Sequence, residues 1–387
     1  MDLDIVIIGA GVDGLAVASE VSNDGRAVYV IEKNRMFGME TSSRNSEVKH
    51  AGIHYTPGSL KARLCIEGRD LLDELVKNGY VHGKNIGKYI VATSQDQVGV
   101  LEERLKRGRE NGVDEGRPDD EKLRIISGAE LQKREPNVRA VAALWSPLTG
   151  IIDSHGLMEY FLKKAKSKGG DVVYETELIG IDKINGGYEI TVKEGGGSIE
   201  KYTTRVLINA AGLKADEVAQ MAGIDVDAAG YRQHYCKGEY FRVNGHRGKL
   251  NSLIYPVPEA HGLGVHATLE LDRETGEIAG LKLGPNAFYI GRDADYSVDP
   301  SHQQEFFELA KPVLPFLEYD DLCPDQAGIR PKLKGPDDEG EPDFIVREES
   351  DKGFPGLITL AGNESPGLTA ATAKGPHVAE IVDNILE

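Results

Sequence analysis

The stretch Leu3-Asp4-Ile5-Val6-Ile7-Ile8-Gly9-Ala10-Gly11-Val12-Asp13-Gly14 decides the fold, together with residues 15–32. Its first six residues read as a buried strand, and three glycines in GxGxxG spacing come at once. An apolar helix over Leu15 to Val21 and a second strand, Ala27 to Ile31, complete a βαβ unit. Each part has a physical task. Gly9 permits the tight turn, Gly11 lets the backbone approach a pyrophosphate, and Gly14 lets helix and strand pack closely. The helix N-terminus offers amide N–H groups and a positive dipole end to the phosphates. Glu32, eighteen positions beyond Gly14 and next to Lys33, stands where an acid accepts both ribose hydroxyls of an adenosine. Flanked in this way, the glycine motif predicts a bound dinucleotide.

Composition narrows the rest. A chain of 387 residues exceeds what one core commonly supports, so two lobes are expected. The formal charge of −18, from 63 acidic and 45 basic residues, argues against nucleic acid or anionic lipid as main partner. A small anionic substrate stays compatible, because a cationic pocket can sit inside an acidic shell. Cys65, Cys236 and Cys323 are odd in number, far apart and form no CxxC pair. Neither a disulfide framework nor a metal site is expected, and a reducing, cytoplasmic compartment fits, with peripheral membrane association left open. With the nucleotide fold starting at Leu3, no signal peptide is expected, and no apolar run approaches transmembrane length.

Along the chain, helices are expected over 57–80, 96–111, 154–168 and 365–386 from their apolar spacing. Strands are expected at 88–92 and 171–174, as a hairpin turning at Asn185-Gly186-Gly187, at 206–212, where a hydrophobic strand runs into small residues, and at 357–362. Residues 231–330 are strand-rich, with 234–243, 252–255, 263–269 and 281–283 suiting a large antiparallel sheet. The fold class is therefore α/β (α+β overall): a discontinuous, Rossmann-like FAD-binding domain with an inserted, mainly antiparallel β-sheet substrate domain. Its expected boundaries are 1–85, 150–225 and 325–387 for the first domain, and 86–149 and 226–324 for the second. No second GxGxxG occurs. One dinucleotide fold, completed by a C-terminal strand and helix, predicts a single tightly held FAD that the organic substrate reduces directly.

The chain also resembles the D-amino acid oxidase superfamily of flavoproteins, and within it the L-2-hydroxyglutarate dehydrogenase/oxidase group. The most specific match is Arg44-Asn45-Ser46-Glu47-Val48-Lys49-His50-Ala51-Gly52-Ile53-His54-Tyr55, continuing through Pro57 to Cys65. Further matches are Gly87 to Ala92, Lys133 to Pro136, Thr149 to Asp153, Ile254 to Pro258, Leu263 to His266, Leu283 to Ala287 and Ala327 to Arg330. The chain departs from the family's usual wording at His234 to Tyr240 and at Asn363 to Gly367.

That resemblance implies oxidation of a 2-hydroxy acid at its carbinol carbon, and it implies roles for particular residues. Arg330 is expected to clamp the carboxylate through paired hydrogen bonds. His50 and His54 are the candidate bases, an imidazole of near-neutral pKa being able to take the hydroxyl proton. In an extended segment their spacing would put both on one face. Tyr235, Tyr240, Tyr255 and His266 are candidates to line the pocket, and Lys61 to meet a distal carboxylate. Ser43, Arg44 and Asn45 are expected beside the pyrophosphate, Val173 beside adenine, and Ala211 and Gly212 along the dinucleotide. Gly362, Asn363 and Gly367 are expected near the flavin pyrimidine, where a helix N-terminus favours the anionic reduced ring. The rival readings are an amino-acid or amine oxidase, a glycerol-3-phosphate dehydrogenase-like enzyme, and a non-catalytic flavin-binding protein. The electron acceptor (oxygen, a quinone or an electron-transfer protein) is not legible.

Overall fold

A computed structural model describes residues 1–23, 25–257 and 265–386. Pro258, Leu263 and Gly264, which belong to the matching motifs, lie outside the described residues. The chain divides into two compact units. The first comprises Met1–Ser43, Ser154–Tyr235 and Arg330–Glu387, and the second Arg44–Asp153 and Cys236–Ile329.

The strand Leu3–Ile8 (β1), the helix Val12–Val21 (α1) and the strand Val28–Ile31 (β2) form the expected βαβ unit. Parallel strands run in the order Asp171–Val173, β2, β1, Ile199–Asn209, Phe354–Ala361, with Ile5 opposite both Val28 and Val206. Such a central strand is buried on both faces, which is why β1 is a near-continuous aliphatic run. The hairpin of Thr176–Ile184 and Gly187–Glu194 adds antiparallel strands to the same sheet, and Ile345–Glu349 pairs antiparallel with Phe354–Ala361. Helix α1 packs against Ser154–Ser167 and against the C-terminal helix Gly367–Leu386. The latter crossing is close, since a Cβ on Gly375 would lie 2.7 Å from the Ala16 carbonyl oxygen. Val6, Ile8, Tyr188, Ile190, Leu207 and Leu357 centre one core cluster of this unit.

The second unit is built on a sheet ordered Phe288–Ile290, His234–Val243, Ile278–Leu283, Ala267–Leu271, Leu253–Pro256, Lys88–Ala92, Ala142–Ser146, Arg124–Ser127. Leu322–Lys332 pairs with His234–Val243. Leu253–Pro256 runs parallel to Lys88–Ala92, and the pairs on either side of these two strands are antiparallel. The helix Val98–Glu110 packs on three of these strands, and Ile90, Leu101, Leu144, Leu253 and Leu283 belong to the core beneath.

The observed division differs from the expected one at 44–85 and 150–153, which belong to the second unit. Residues 226–235 lie in the first unit and 325–329 in the second. The reason is packing. The helix Leu60–Lys77, capped by the Ser59 hydroxyl accepting from the Ala62 N–H, buries Arg69. That guanidinium donates to the carbonyls of Ala51 and Val113 at 3.1 and 2.9 Å, both in the second unit. Gly150–Ile152 is likewise held between Val48–Lys49 and Gly83–Lys84. No helix among the described residues is long and apolar enough to cross a membrane.

Candidate functional site

At the carboxyl edge of the parallel sheet the glycine motif adopts the form its spacing requires. Gly9 has φ +101° and donates its N–H to the Ile31 carbonyl at 2.8 Å. A Cβ on Gly14 would lie 2.0 Å from the Gly9 oxygen, so only glycine fits there. Gly11 caps α1 in extended conformation, and the Ser42 hydroxyl accepts from the Val12 N–H at 3.0 Å. The N–H groups of Asp13 and Gly14 have no acceptor among the described residues. Glu32 is buried, and its two oxygens accept from the Ala10 N–H at 2.8 Å and from both Asn34 donors at 2.9 Å.

Two further turns stand at the ends of neighbouring strands. After Ile199–Asn209, the Asn209 side chain donates to the Ala215 carbonyl at 2.7 Å and accepts from the Ala211 N–H at 3.3 Å. After Phe354–Ala361, Gly362 turns with φ +69°. Gln233, fully buried, ties the two turns together. Its Nε2 donates to the Gly212 carbonyl at 2.6 Å, and its Oε1 accepts from the Gly362 N–H at 3.2 Å. Next in the chain, Asn363 Oδ1 accepts from the buried Lys374 ammonium at 2.7 Å, which also reaches Asp13 at 3.0 Å.

The second unit gathers a different set. The 50–55 segment is a turn and not an extended strand; only Val48–Lys49 pairs as strand, and Gly52 has φ +103°. His50 and His54 come near each other through this turn, not by sharing a strand face. Asn111 pins it, donating to the carbonyls of Gly52 and Tyr55 at 2.9 Å, while Arg107 donates to the His54 carbonyl at 3.2 Å. Beneath lies Lys88, buried on Lys88–Ala92. Its ammonium is 3.4 Å from His54 Nε2 and 4.8 Å from the Tyr255 ring centroid, and no carboxylate pairs with it among the described residues. Tyr255 stacks on His266, centroids 3.6 Å apart and planes within 6°. With the ammonium donating, His54 Nε2 is an acceptor and the ring proton sits on Nδ1.

The electrostatics follow from desolvation of two half-buried rings beside the buried Lys88. Desolvation, then the Lys88 charge, pushes His50 down to about 3. Desolvation first and Lys88 next also hold His54 well below the usual histidine range, with Arg104 adding to the effect. Lys88 itself is pushed down to about 8, chiefly by desolvation. Near-neutral histidine pKa values are the sequence-based expectation, and desolvation beside Lys88 corrects it: both rings are neutral across the physiological range.

The profile of the FAD dependent oxidoreductase family matches residues 4–381 of this chain. The chain belongs to that family. It is 35% identical to a mitochondrial L-2-hydroxyglutarate dehydrogenase of Arabidopsis thaliana over 97% of this chain and 83% of the relative. It is 29% identical to a glycerol 3-phosphate dehydrogenase of Caloramator mitchellensis over 99% of this chain and 74% of that one. Among solved structures, an L-alpha-glycerophosphate oxidase of Mycoplasma pneumoniae with FAD bound superposes at a TM-score of 0.85. That match has 28% identity and covers 98% of this chain and 94% of the oxidase. The protein is thus an FAD-dependent oxidoreductase, and FAD is its cofactor.

The residues present fit that group. Two open helix amides, a glycine with no room for a Cβ and an oriented buried acid are the donor set a dinucleotide needs. Gly9, Gly11, Gly14, Glu32, Ala211, Gly212, Gly362 and Asn363 all lie in the first unit, as do Lys33, Ser43, Val173 and Gly367. Lys33 pairs with Glu40 at 3.1 Å on the surface. Ser42, not named from sequence, is the hydroxyl that meets the start of α1; Ser43 contacts the Glu40 carbonyl instead. Arg44 and Asn45 fall in the second unit, where Arg44 stacks 4.1 Å over Tyr296 and Asn45 caps the Glu47 N–H.

Of the pocket candidates, His50, His54, Tyr255 and His266 gather around Lys88. Tyr240 is close enough to influence Tyr255. Tyr235 is not with them: its hydroxyl donates to the Leu213 carbonyl at 2.9 Å in the first unit. Lys61 is buried in the first turn of its helix, and Arg330 is half-buried on Leu322–Lys332, on the first unit's side of the boundary. Sequence reasoning missed Lys88, Gln233 and Lys374. A signal existed for Lys88 and Lys374, each a single cation opening or interrupting an otherwise apolar run.

Proposed function

We propose that the protein oxidises a small 2-hydroxy acid to the 2-oxo acid, with L-2-hydroxyglutarate the first substrate to try. The observation that carries this reading is the buried Lys88 ammonium, without a carboxylate partner among the described residues, beside the neutral His54 ring. Such a cluster favours a ligand that brings negative charge and a proton to give up. An amino acid's own ammonium would meet like charge there, which argues against amine oxidation. The 35% identity to the Arabidopsis L-2-hydroxyglutarate dehydrogenase supports the same choice.

When bound, FAD supplies the two-electron acceptor for the hydrogen on the carbinol carbon. The chain's residues have the remaining tasks. The neutral imidazole of His50 takes the hydroxyl proton as the carbonyl forms, because the single acceptor nitrogen of His54 is engaged by the Lys88 ammonium. Arg330 is assigned the carboxylate. Lys88 adds its charge to the desolvation that keeps the imidazoles neutral, and holds His54 Nε2 by its hydrogen bond.

A second reading is oxidation of a glycerol phosphate. The same cationic cluster, with Arg104 close enough to act on Lys88 and His54, suits a phosphate as well as a carboxylate. Anaerobic bleaching of the visible flavin band separates the two. L-2-hydroxyglutarate is expected to bleach it, and glycerol 3-phosphate and amino acids to leave it unchanged. Bleaching by glycerol 3-phosphate alone would replace the first reading with the second.

A further inference from the structure

We infer that Lys374 is a positioning residue for the flavin, fixing Asn363 as a hydrogen-bond donor to a pyrimidine carbonyl and neutralising Asp13 at the pyrophosphate end of the same cradle. The ammonium is fully buried. It lies 3.0 and 3.2 Å from the two Asp13 carboxylate oxygens, 2.7 Å from Asn363 Oδ1, and 4.1 Å above the Phe344 ring. An ammonium has three donors and no acceptor, so each polar atom it meets must accept. That settles the Asn363 amide, whose two ends are otherwise interchangeable. Its oxygen is spent on Lys374, and its NH2 has no partner among the described residues.

The orientation matters because a flavin pyrimidine offers two kinds of edge, carbonyl oxygens that accept and a single N–H that donates. With Oδ1 held by Lys374, the side chain can serve only a carbonyl oxygen. Donors at that oxygen stabilise the negative charge of the reduced ring. Backbone geometry keeps the amide in place. The Gly362 N–H is bound by Gln233, and the Glu364 N–H returns to the Gly362 carbonyl at 2.8 Å.

The Asp13 contact answers a second problem. Asp13 is the second residue of α1, the helix whose open N–H groups point to a phosphate site. A buried carboxylate there would repel a pyrophosphate through a medium of low dielectric. Lys374 cancels that charge, joining two segments 361 positions apart. Asp13 and Lys374 are acceptable together, and Asp13 alone is not.

The test uses the holoenzyme, deflavinated and titrated with FAD, reading the dissociation constant and the absorption spectrum of the bound flavin. Lys374→Met is expected to weaken FAD by about a hundredfold, the scale of an uncompensated buried charge, and to shift the spectrum. Asp13→Asn combined with Lys374→Met is expected to recover about tenfold of that affinity without restoring the spectrum, since Asn363 stays unanchored. Asn363→Asp, with Lys374 in place, sets an acceptor against a carbonyl; it is expected to shift the spectrum and lower the flavin reduction potential. Unchanged affinity and spectrum in Lys374→Met would overturn the inference. So would a double mutant that binds FAD no better than Lys374→Met alone, which would reduce Lys374 to a packing role. Should Lys374→Met fail to fold, Asn363→Asp decides: an unaltered spectrum and potential reject the donor assignment.

Discussion

The clustering of the half-buried His50 and His54 with the buried Lys88 sets the pH behaviour of single residues. A base must be neutral to accept a proton, and His50 held down to about 3 is neutral through the whole working range. The acidic limb of kcat/KM is therefore expected well below pH 6.5, measured by anaerobic flavin reduction across pH; a limb centred on 6.5 would contradict the desolvated setting. His50→Ala should lower turnover by about 10²–10⁴-fold while FAD stays bound. The depressed histidine also carries a stability term. Its folded form resists protonation, so stability present above pH 6.5 is lost as pH falls toward 3. Lys88 follows the same sign in a higher pH window. Its folded pKa of about 8 lies below the ordinary 10.5, so burying the charged form costs stability below pH 8, and that cost fades as pH rises to 10.5. Lys88→Met should thus raise stability at neutral pH by about 1–3 kcal/mol, a gain that shrinks toward pH 10.5, while raising the substrate concentration for half-saturation. Chemical denaturation at two pH values checks the first effect; a variant less stable than wild type at about pH 7 would contradict it.

At the scale of elements, the constraint that bears most directly on the cofactor is the contact of Gly14 with the Gly9 carbonyl. Gly14→Ala places a methyl 2.0 Å from that oxygen, so α1 must move off β1. The purified variant should contain little or no FAD, read from its visible spectrum, and stoichiometric flavin would show that the loop yields more easily than its geometry implies. This part was legible because it is local: strand, glycines, helix and strand succeed one another, and Glu32 lies within the same unit. The strand at His234–Val243 was equally plain from its composition. The short strands Val48–Lys49, Gly83–Lys84 and Gly150–Ile152 were not, because two or three residues carry no period. The helix Leu60–Lys77 comes after the nucleotide-binding strands in sequence, yet Arg69 fastens it to the second unit. Periodicity predicted the helix and was silent on its partner. Likewise His50 and His54 were picked out, but the Gly52 turn that brings them together and the Lys88 beneath them depend on contacts distant in sequence.

Over the whole molecule, the first unit is assembled from three separate segments, and residues proposed to hold FAD occur in each: Gly9 to Glu32 in the first, Ala211 and Gly212 in the second, Gly362 and Asn363 in the third. A ligand that binds the folded arrangement and not the unfolded chain stabilises it by mass action, about 2.7 kcal/mol at a hundredfold excess over Kd. Segments this far apart have no local reason to stay together, so the cofactor should act as a tie between them. Deflavinated protein should melt about 5–10 °C lower than protein with FAD at that excess, given the size of the unit. The gain should rise with the logarithm of FAD concentration and should not appear with NAD. Hydrogen exchange locates it: the amides of Gly9 to Gly14 and of Gly362 to Gly367 should gain protection together on adding FAD, despite lying at opposite ends of the chain. A melting temperature insensitive to FAD, or protection confined to the first segment, would mean that the three segments hold one another without the cofactor.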